Sequence, residues 1–254
     1  MMKDSSTMKI HPYYQTLFVV WLNQIFFYIT LYMLFSWYAV ILAIISMYLF
    51  GMMSETGMHR YFAHKSYTTT KLKEKVLLFF ATMAGQGATL SWITVHRSHH
   101  SFEDTERDPH SPHFIPKWKL ILGLFPKNAY KISLVSDLIR SPNKKYFQYE
   151  NQYYWLIWSS IWLVSYMISI WFFYFIVSGC ALWYLDTQLV NIVGHSKQGK
   201  KSYNNAVAIN SPVLNLITGA GHHNNHHANP KNYSYAVNGE LDVYAWVIKH
   251  FFKT

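Results

Sequence analysis

Two long apolar stretches dominate the pattern of hydrophobic and polar positions along the chain. They run from Tyr14 to Met53 and from Tyr153 to Val193, and each is about 40 residues long. A helix rises about 1.5 Å per residue and needs about 20 residues to cross a hydrocarbon core of about 30 Å. Each stretch is therefore long enough to cross a membrane twice. We predict two transmembrane hairpins, with spans at about 16–35, 37–53, 153–174 and 176–193 and with turns near Ser36 and near 177–179.

A third uncharged run, from Val76 to Val95, looks like a membrane span by hydropathy alone. Lys75 precedes it, Arg97 follows it, and its middle contains glycine and polar residues. If this run crossed the membrane, the histidines on its two sides would face opposite compartments. We predict instead a buried or interfacial helix pair within a cytoplasmic helical cap, which residues 54–152 and 194–254 form. The predicted fold is an all-α integral membrane protein, with residues 1–254 as a single domain.

Composition and charge placement support a membrane protein. The chain is 51% hydrophobic and only 13% charged, which is poor in charge for a soluble domain. Its net charge is +10, yet no Lys or Arg lies between Lys9 and Arg60 or between Lys145 and Lys197. In the four-span arrangement all basic residues then fall on one side, which the positive-inside rule makes the cytoplasm. We expect both termini and the cap there, at the ER membrane of a eukaryote or the inner membrane of a bacterium. Membrane lipids, and not nucleic acid, are the expected partners of the charge.

Histidine is the main candidate for metal binding. The chain has 14 histidines and a single cysteine, Cys180, so any metal must be held by histidine or carboxylate side chains. Nine of the histidines fall into four short boxes: His59 and His64; His96, His99 and His100; His195, four residues after Asn191; and His223, His226 and His227. In the predicted topology all four boxes lie on the same side of the membrane.

The spacing within the boxes indicates convergent imidazoles. Positions i, i+3 and i+4 share one face of a helix, so each H-x-x-H-H box directs three rings to one point, and Asn191 shares a face with His195. His59 and His64 diverge by roughly 140° on an ideal helix, which requires a helix end between them or separate metals for the two. Nine imidazoles exceed a single coordination shell, so we predict two metal ions. Imidazole suits zinc, copper, iron and nickel, and the spacing does not choose among them.

These boxes resemble those of the membrane fatty acid desaturases of the delta-9 acyl-CoA and acyl-lipid type. The matching segments are HRYFAH at 59–64, HRSHHSFEDTERDPHSP at 96–112, NIVGH at 191–195 and HNNHHANP at 223–230. The resemblance implies an O2-dependent desaturase that introduces a cis double bond, with delta-9 as the expected position, into a long saturated acyl chain. It further implies two iron ions bound by the nine box histidines, assistance from Asn191 through water, and no catalytic residue apart from the metal ligands.

The resemblance also points to residues around the ligands. Five residues are expected either to contact the metal ligands without binding the metals or to line an acyl tunnel: Trp92, Asp104, Asp108, His110 and His222. The chain departs from the family pattern at Ala220, where many relatives have glutamate, and at His222, where an aromatic is usual. Asp186 is a further polar residue in an apolar stretch, where polar groups are costly enough to suggest a function or a buried partner.

Two other functions fit the histidines. A fatty acyl hydroxylase uses the same oxidant but leaves a hydroxyl group on the chain, and a histidine-rich metal transporter would place its ligands within the spans. As a desaturase, the protein needs a separate electron carrier, either a cytochrome b5 or a ferredoxin. The acyl group could be linked to CoA, to acyl carrier protein or to a membrane lipid. The sequence determines neither this carrier nor the chain length and bond position.

Overall fold

The computed structural model describes residues 14–126 and 131–254. Within them the chain is helical, with no strand and one isolated antiparallel bridge between Lys200 and Asn210. The α-helices are α1 (Tyr14–Leu34), α2 (Trp37–Met53), α3 (Lys71–Met83), α4 (Thr89–Phe102), α5 (Lys117–Ile121), α6 (Ser136–Ile139), α7 (Lys144–Ile168), α8 (Ile170–Gly194), α9 (Pro212–Thr218), α10 (His223–Ala228) and α11 (Val243–Val247). The N-terminal segment 1–13 and residues 127–130 of the predicted cap lie outside the described residues.

Three helices are long and apolar enough to cross a membrane. They are α1, α8 and a continuous helix, Trp37–Ala63, in which α2 runs directly into the π-helix Ser54–Ala63. Helix α7 does not meet the same criterion, and its path is bent at Tyr153, whose backbone leaves the helical region. The first part of α7 is polar and the second part is apolar, so its average hydropathy is lower than that of the other three.

The first helix break lies where the sequence predicts it. Helix α1 ends at Leu34 and α2 begins at Trp37, with Ser36 extended between them. The Ser36 hydroxyl accepts a hydrogen bond from the backbone N–H of Ala39 at 3.2 Å, which satisfies one of the donors left open at the start of a helix.

The second break corrects the prediction. The turn lies at Ser169, between α7 and α8, and not at 177–179. Ser169 caps α8 by accepting from the N–H of Phe172 at 3.0 Å. Gly179 lies inside α8, where a side chain would collide with Ser46 and Phe50 of α2. The glycine therefore permits close packing of two helices, and the predicted turn near 177–179 was wrong.

The predicted helix pair in the middle of the chain is confirmed. Helices α3 and α4 are joined by a tight turn in which Gly85 and Gly87 have positive φ values of 70° and 122°. The residue before α4, Ala88, offers no side-chain cap. The buried carboxylate of Glu150 on α7 replaces it and accepts from the N–H and the hydroxyl of Thr89 at distances of 3.1 and 2.8 Å.

The packing divides the core between the long helices and the cap. Helix α8 contacts α1, α2 and α7, and aromatic side chains such as Trp158, Trp183 and Tyr174 fill the space among them. A second apolar cluster joins the π-helix to α3, α4 and the C-terminal helices. The four histidine boxes lie at the ends of elements that meet between these two clusters.

Candidate metal centre

A π-helix brings the first box together. The backbone N–H of His64 bonds to the carbonyl of His59 at 3.1 Å, five residues back, which is the π-helical pattern. This wider turn places the two imidazoles 5.0 Å apart, between ring centroids. The helix ends at Ala63, between the two histidines, as one of the two predicted alternatives requires. The π register brings the two rings together, so the geometry does not favour separate metals for His59 and His64.

The last box is held by its two asparagines. Helix α10 has six residues, which is too short to be stable through its own hydrogen bonds. Asn224 donates to the carbonyls of Tyr203 and Ala208 at 2.9 Å, and Asn225 donates to the carbonyl of Tyr235 at 2.7 Å. These bonds fix the orientation of α10, and so of its histidines, against the loops on either side.

All nine box histidines converge in the fold. They form two adjacent groups of four, each able to hold one ion, and His100 lies between the groups with His226 and His227. The first histidine group is His59, His64, His96 and His226, and the second histidine group is His99, His195, His223 and His227. Helices α4 and α10 each contribute to both groups, because neighbouring box positions on one helix point to neighbouring sites.

The ring nitrogens are spaced as metal ligands would be. In the first histidine group, the Nε2 atoms of His64 and His96 are 2.7 Å apart, and those of His59 and His226 are 3.2 Å apart. In the second, His195 and His223 are separated by 2.9 Å between the same atoms. Nitrogens that share an ion at about 2.1 Å lie roughly 3 to 4 Å from each other. The pair at 3.2 Å lies within this range and the pairs at 2.7 and 2.9 Å lie just below it, so a small outward shift of the rings would let these residues hold a metal pair.

Carboxylates contact the outer ring nitrogen, Nδ1, of several box histidines and so orient these rings. The Nδ1 atoms of His59, His99 and His195 lie 2.9 Å from Glu55, Asp108 and Asp104, respectively. Each contact fixes the tautomer in which Nδ1 carries the proton and Nε2 is free to bind a metal. The Nδ1 atom of His227 lies 3.2 Å from Glu103, without the alignment of a hydrogen bond.

Burial keeps most of the cluster uncharged. Removal from water, and then repulsion from neighbouring imidazoles, hold the pKa far below its usual value for seven box histidines: His64, His96, His99, His100, His223, His226 and His227. Neutral imidazole is the form that binds metals. The site therefore offers uncharged nitrogens to a cation and disfavours protons as competitors.

Comparison with known proteins agrees with this arrangement. The sequence profile of the fatty acid desaturase family matches residues 35–237, which include all four boxes. The chain belongs to the fatty acid desaturase family. It is thus an oxidoreductase of the class that acts on acyl chains.

The relatives of this desaturase differ in substrate. It is 32% identical to the sn-1 stearoyl-lipid 9-desaturase of Anabaena variabilis over 76% of this chain and 73% of that protein. It is 31% identical to the sn-2 palmitoyl-lipid 9-desaturase of Nostoc sp. (strain 36) over 90% of this chain and 86% of that protein. The icosanoyl-CoA 5-desaturase of Limnanthes douglasii is 29% identical over 75% of this chain and 56% of that protein.

A cavity adjoins the first histidine group of the desaturase. His59, His96 and His226 border it, together with His223 of the second group. The indole of Trp92 stacks on His96 at 4.7 Å between ring centroids and donates to the side-chain oxygen of Gln86 at 3.2 Å. Trp92, Trp183, Val95 and Val190 give the cavity apolar walls.

The remaining predicted residues take different places. Asp104 and Asp108 contact ring nitrogens, as described above, while His110 lies 4.2 Å from His99 between ring centroids and borders the cavity. Asn191 also borders the cavity, on α8. His222 also borders the cavity, and its Nε2 lies 3.1 Å from the carbonyl oxygen of Leu241. It belongs to neither group of four.

Sequence reasoning missed several supporting residues. Glu55 had a usable signal, because it precedes His59 by four positions and i, i+4 residues share a helix face. Arg60 had none: its guanidinium bonds to Asp242 at 2.8 Å and lies over the ring of Tyr235, 4.1 Å from its centroid. Arg60 and Asp242 are 182 residues apart in the chain, and local patterns cannot reveal such a pair.

Proposed function

We propose that this desaturase uses O2 and a pair of iron ions to insert a cis double bond at the ninth carbon of a long, saturated, lipid-linked acyl chain. The observation that carries the proposal is the gathering of nine buried or partly buried histidines, in two adjacent groups of four with His100 between them, beside a largely apolar cavity. The bond position and the lipid carrier are supported by the two cyanobacterial relatives, whose names state both.

Iron is proposed because the chemistry requires a redox-active metal and the resemblance to the family implies iron. Hydrogen abstraction from an unactivated methylene needs a strong oxidant, and a redox-inert ion such as zinc cannot supply one. Two irons bound to the two histidine groups, with Asn191 acting through water, would supply that oxidant from O2 and two electrons. A separate cytochrome b5 or ferredoxin is the proposed source of the electrons.

The protein's own contribution is positioning and exclusion of water. Trp92 and Trp183 form part of a wall that would hold the acyl chain against the first histidine group. Glu55, Asp104 and Asp108 keep the proton on the outer nitrogen of their histidines, so that Nε2 stays available. A fixed chain beside a fixed oxidant determines which carbon reacts.

We also propose four membrane crossings with both termini in the cytoplasm. The apolar part of α7, from Tyr153 to Ile168, would supply the crossing that pairs with α8. The two capped breaks at Ser36 and Ser169 would then lie together on the side opposite the histidines. The absence of Lys and Arg between Lys145 and Lys197 supports this orientation under the positive-inside rule.

The decisive experiment is expression in a desaturase-deficient host, followed by fatty acid profiling and metal analysis. The expected result is loss of one hydrogen from each of the ninth and tenth carbons of lipid-linked chains, with about two irons per purified chain. Gain of one oxygen would instead identify a hydroxylase. Iron-loaded protein that leaves every acyl pool unchanged would refute the proposal.

A further inference from the structure

Asp186 is a buried carboxyl group that no basic side chain or histidine of the described residues contacts. Its side chain lies on α8 and the residue is 5% exposed, with no ion pair to either carboxylate oxygen from the described part of the chain. Its polar neighbour is the hydroxyl of Thr218, which also donates to the carbonyl of Leu214 at 3.0 Å. It borders the same cavity as His59, His96 and His226. An unpaired buried carboxyl group is expensive to keep, and a polar group within an apolar helix usually serves a function. Simple packing in this place would be better served by an apolar side chain.

The other carboxyl groups near the histidines are already engaged. Glu55 contacts His59 and Arg60, while Asp104 and Asp108 face the ring nitrogens of His195 and His99. Of the two carboxyl groups that border the cavity in the described part of the chain, Glu55 and Asp186, only Asp186 is free of such a contact. It is therefore the cavity carboxyl group that can hold a proton of its own.

The proposed reaction requires protons in this cavity. Removal of two hydrogens from the acyl chain, with O2 reduced to two waters, takes two electrons from the carrier and two protons from the protein or solvent. The acyl hydrogens supply half of the hydrogen in the two waters. The two external protons supply the rest, and they must reach a site that is buried among histidines and aromatic side chains. The protein must therefore provide a group from which they can be delivered.

We propose that Asp186 holds one of these protons and donates it to an oxygen atom that derives from O2. The carboxylic O–H bond of Asp186 breaks, the proton forms an O–H bond of product water, and the carboxylate then regains a proton from solvent. Asp186 precedes Asn191 by five residues, or about 7.5 Å along the axis of α8. The same helix thus carries the proton donor and the asparagine proposed to act through water. This inference depends on the proposed function of the site.

The first test uses infrared spectroscopy of metal-free protein to detect the proton on Asp186. With aspartate isotope-labelled, the infrared carbonyl band of a protonated aspartate should be present in the native chain near neutral pH and absent from Asp186→Asn. In Asp186→Glu, the band of the isotope-labelled aspartate should be absent, and a band of an isotope-labelled glutamate should appear instead. A native spectrum without a protonated aspartate overturns the inference even if the enzyme desaturates its substrate. The isotope labels keep this test valid if the asparagine variant fails to fold.

The second test reads turnover of the iron-loaded enzyme. Asp186→Asn should keep its iron and its KM, while kcat falls by roughly a hundredfold, as is typical for loss of a proton donor. Asp186→Glu should restore much of kcat, and the exposed Glu106→Gln is the matched control. Native turnover by Asp186→Asn, or a loss confined to KM, overturns the inference. If the native chain itself produces no desaturated product, the proposed function fails instead.

Discussion

The two histidine groups differ in how they are supported and in what they face. In the second group, His99 and His195 each have a carboxylate 2.9 Å from Nδ1, and His227 has one at 3.2 Å. In the first group, His59 is held in this way by Glu55, whereas the buried Nδ1 of His226 has no hydrogen-bond partner. Three of the four residues of the first group border the cavity, against one of the second.

This contrast suggests a division of roles. The second histidine group is anchored by negative charge, which strengthens a metal–imidazole bond. The first histidine group is placed where an acyl chain can reach it and has fewer carboxylate contacts. Helices α4 and α10 carry members of both groups, so neither site can move without the other. The following experiments test whether the groups are distinct in metal binding, support and substrate contact, from the largest expected effect to the smallest.

Loss of one imidazole from either group should abolish activity. We expect His64→Ala, in the first group, and His195→Ala, in the second, to yield no desaturated product and to retain about one metal per chain, because each variant removes a ligand from only one of the two groups. Fatty acid profiling and metal analysis of purified protein give the two readouts. The exposed His250→Ala should behave as the native protein. Retention of two metals and full activity by either box variant would falsify the assignment.

Removal of a supporting carboxylate should weaken metal binding by the second group without abolishing it. Asp104→Asn leaves His195 in place but removes the negative charge from its Nδ1. Such changes typically lower metal affinity about 10- to 100-fold. A chelator titration of metal-loaded protein measures this, with the exposed Glu106→Gln in the same loop as the control. If both variants release metal at the same chelator concentration, the second group does not depend on its carboxylates.

Replacement of a cavity-wall residue should change the reaction product and leave the metal content unchanged. Trp92 stacks on His96 at the border of the cavity. Replacement by leucine should widen the space beside the first group, so we expect a several-fold lower rate and a mixture of bond positions, with unchanged metal content. Mass spectrometry of the products locates the double bonds. Trp118→Leu, at an exposed position of α5, is the control, and a single unchanged product from Trp92→Leu would place the acyl chain elsewhere.

The smallest expected effect concerns the stability of the protein around α4, one of the two helices that contribute histidines to both groups. Burial raises the pKa of Glu150, the side chain that caps α4, from 4.5 to about 7. The folded protein therefore binds this proton more tightly than the unfolded chain, so the contribution to stability is complete below pH 4.5 and is lost as the pH rises through about 7. Glutamine keeps an acceptor for Thr89 and cannot ionise.

We expect the melting temperature of the native protein to fall by a few degrees relative to Glu150→Gln between pH about 5 and about 8. Thermal melts at a series of pH values measure the difference. Glu150→Ala, which lacks the acceptor, should be less stable than both across the range. Parallel curves for the native and glutamine proteins would show that Glu150 does not titrate in the folded state.

Local sequence patterns were sufficient for much of this protein. The apolar stretches, the break at Ser36, the helix pair around Gly85 and the four boxes are all encoded within a few residues of one another. The i, i+3, i+4 spacing of His96, His99 and His100 follows from helix geometry alone. The number of box histidines indicated two metals, and the motifs identified the family.

Tertiary structure decided what depends on distant partners. Gly179 looked like a turn because its packing against Ser46 and Phe50 of α2 cannot be read locally. The π-helical register that unites His59 with His64, the carboxylates that support His99 and His195, and the surroundings of Asp186 also depend on the tertiary structure. Hydrophobic periodicity and ligand spacing are short-range properties of the chain, whereas the fate of a buried polar group depends on which elements pack around it. The sequence therefore identified the nine candidate metal ligands as a set, and the fold determined their division into two groups.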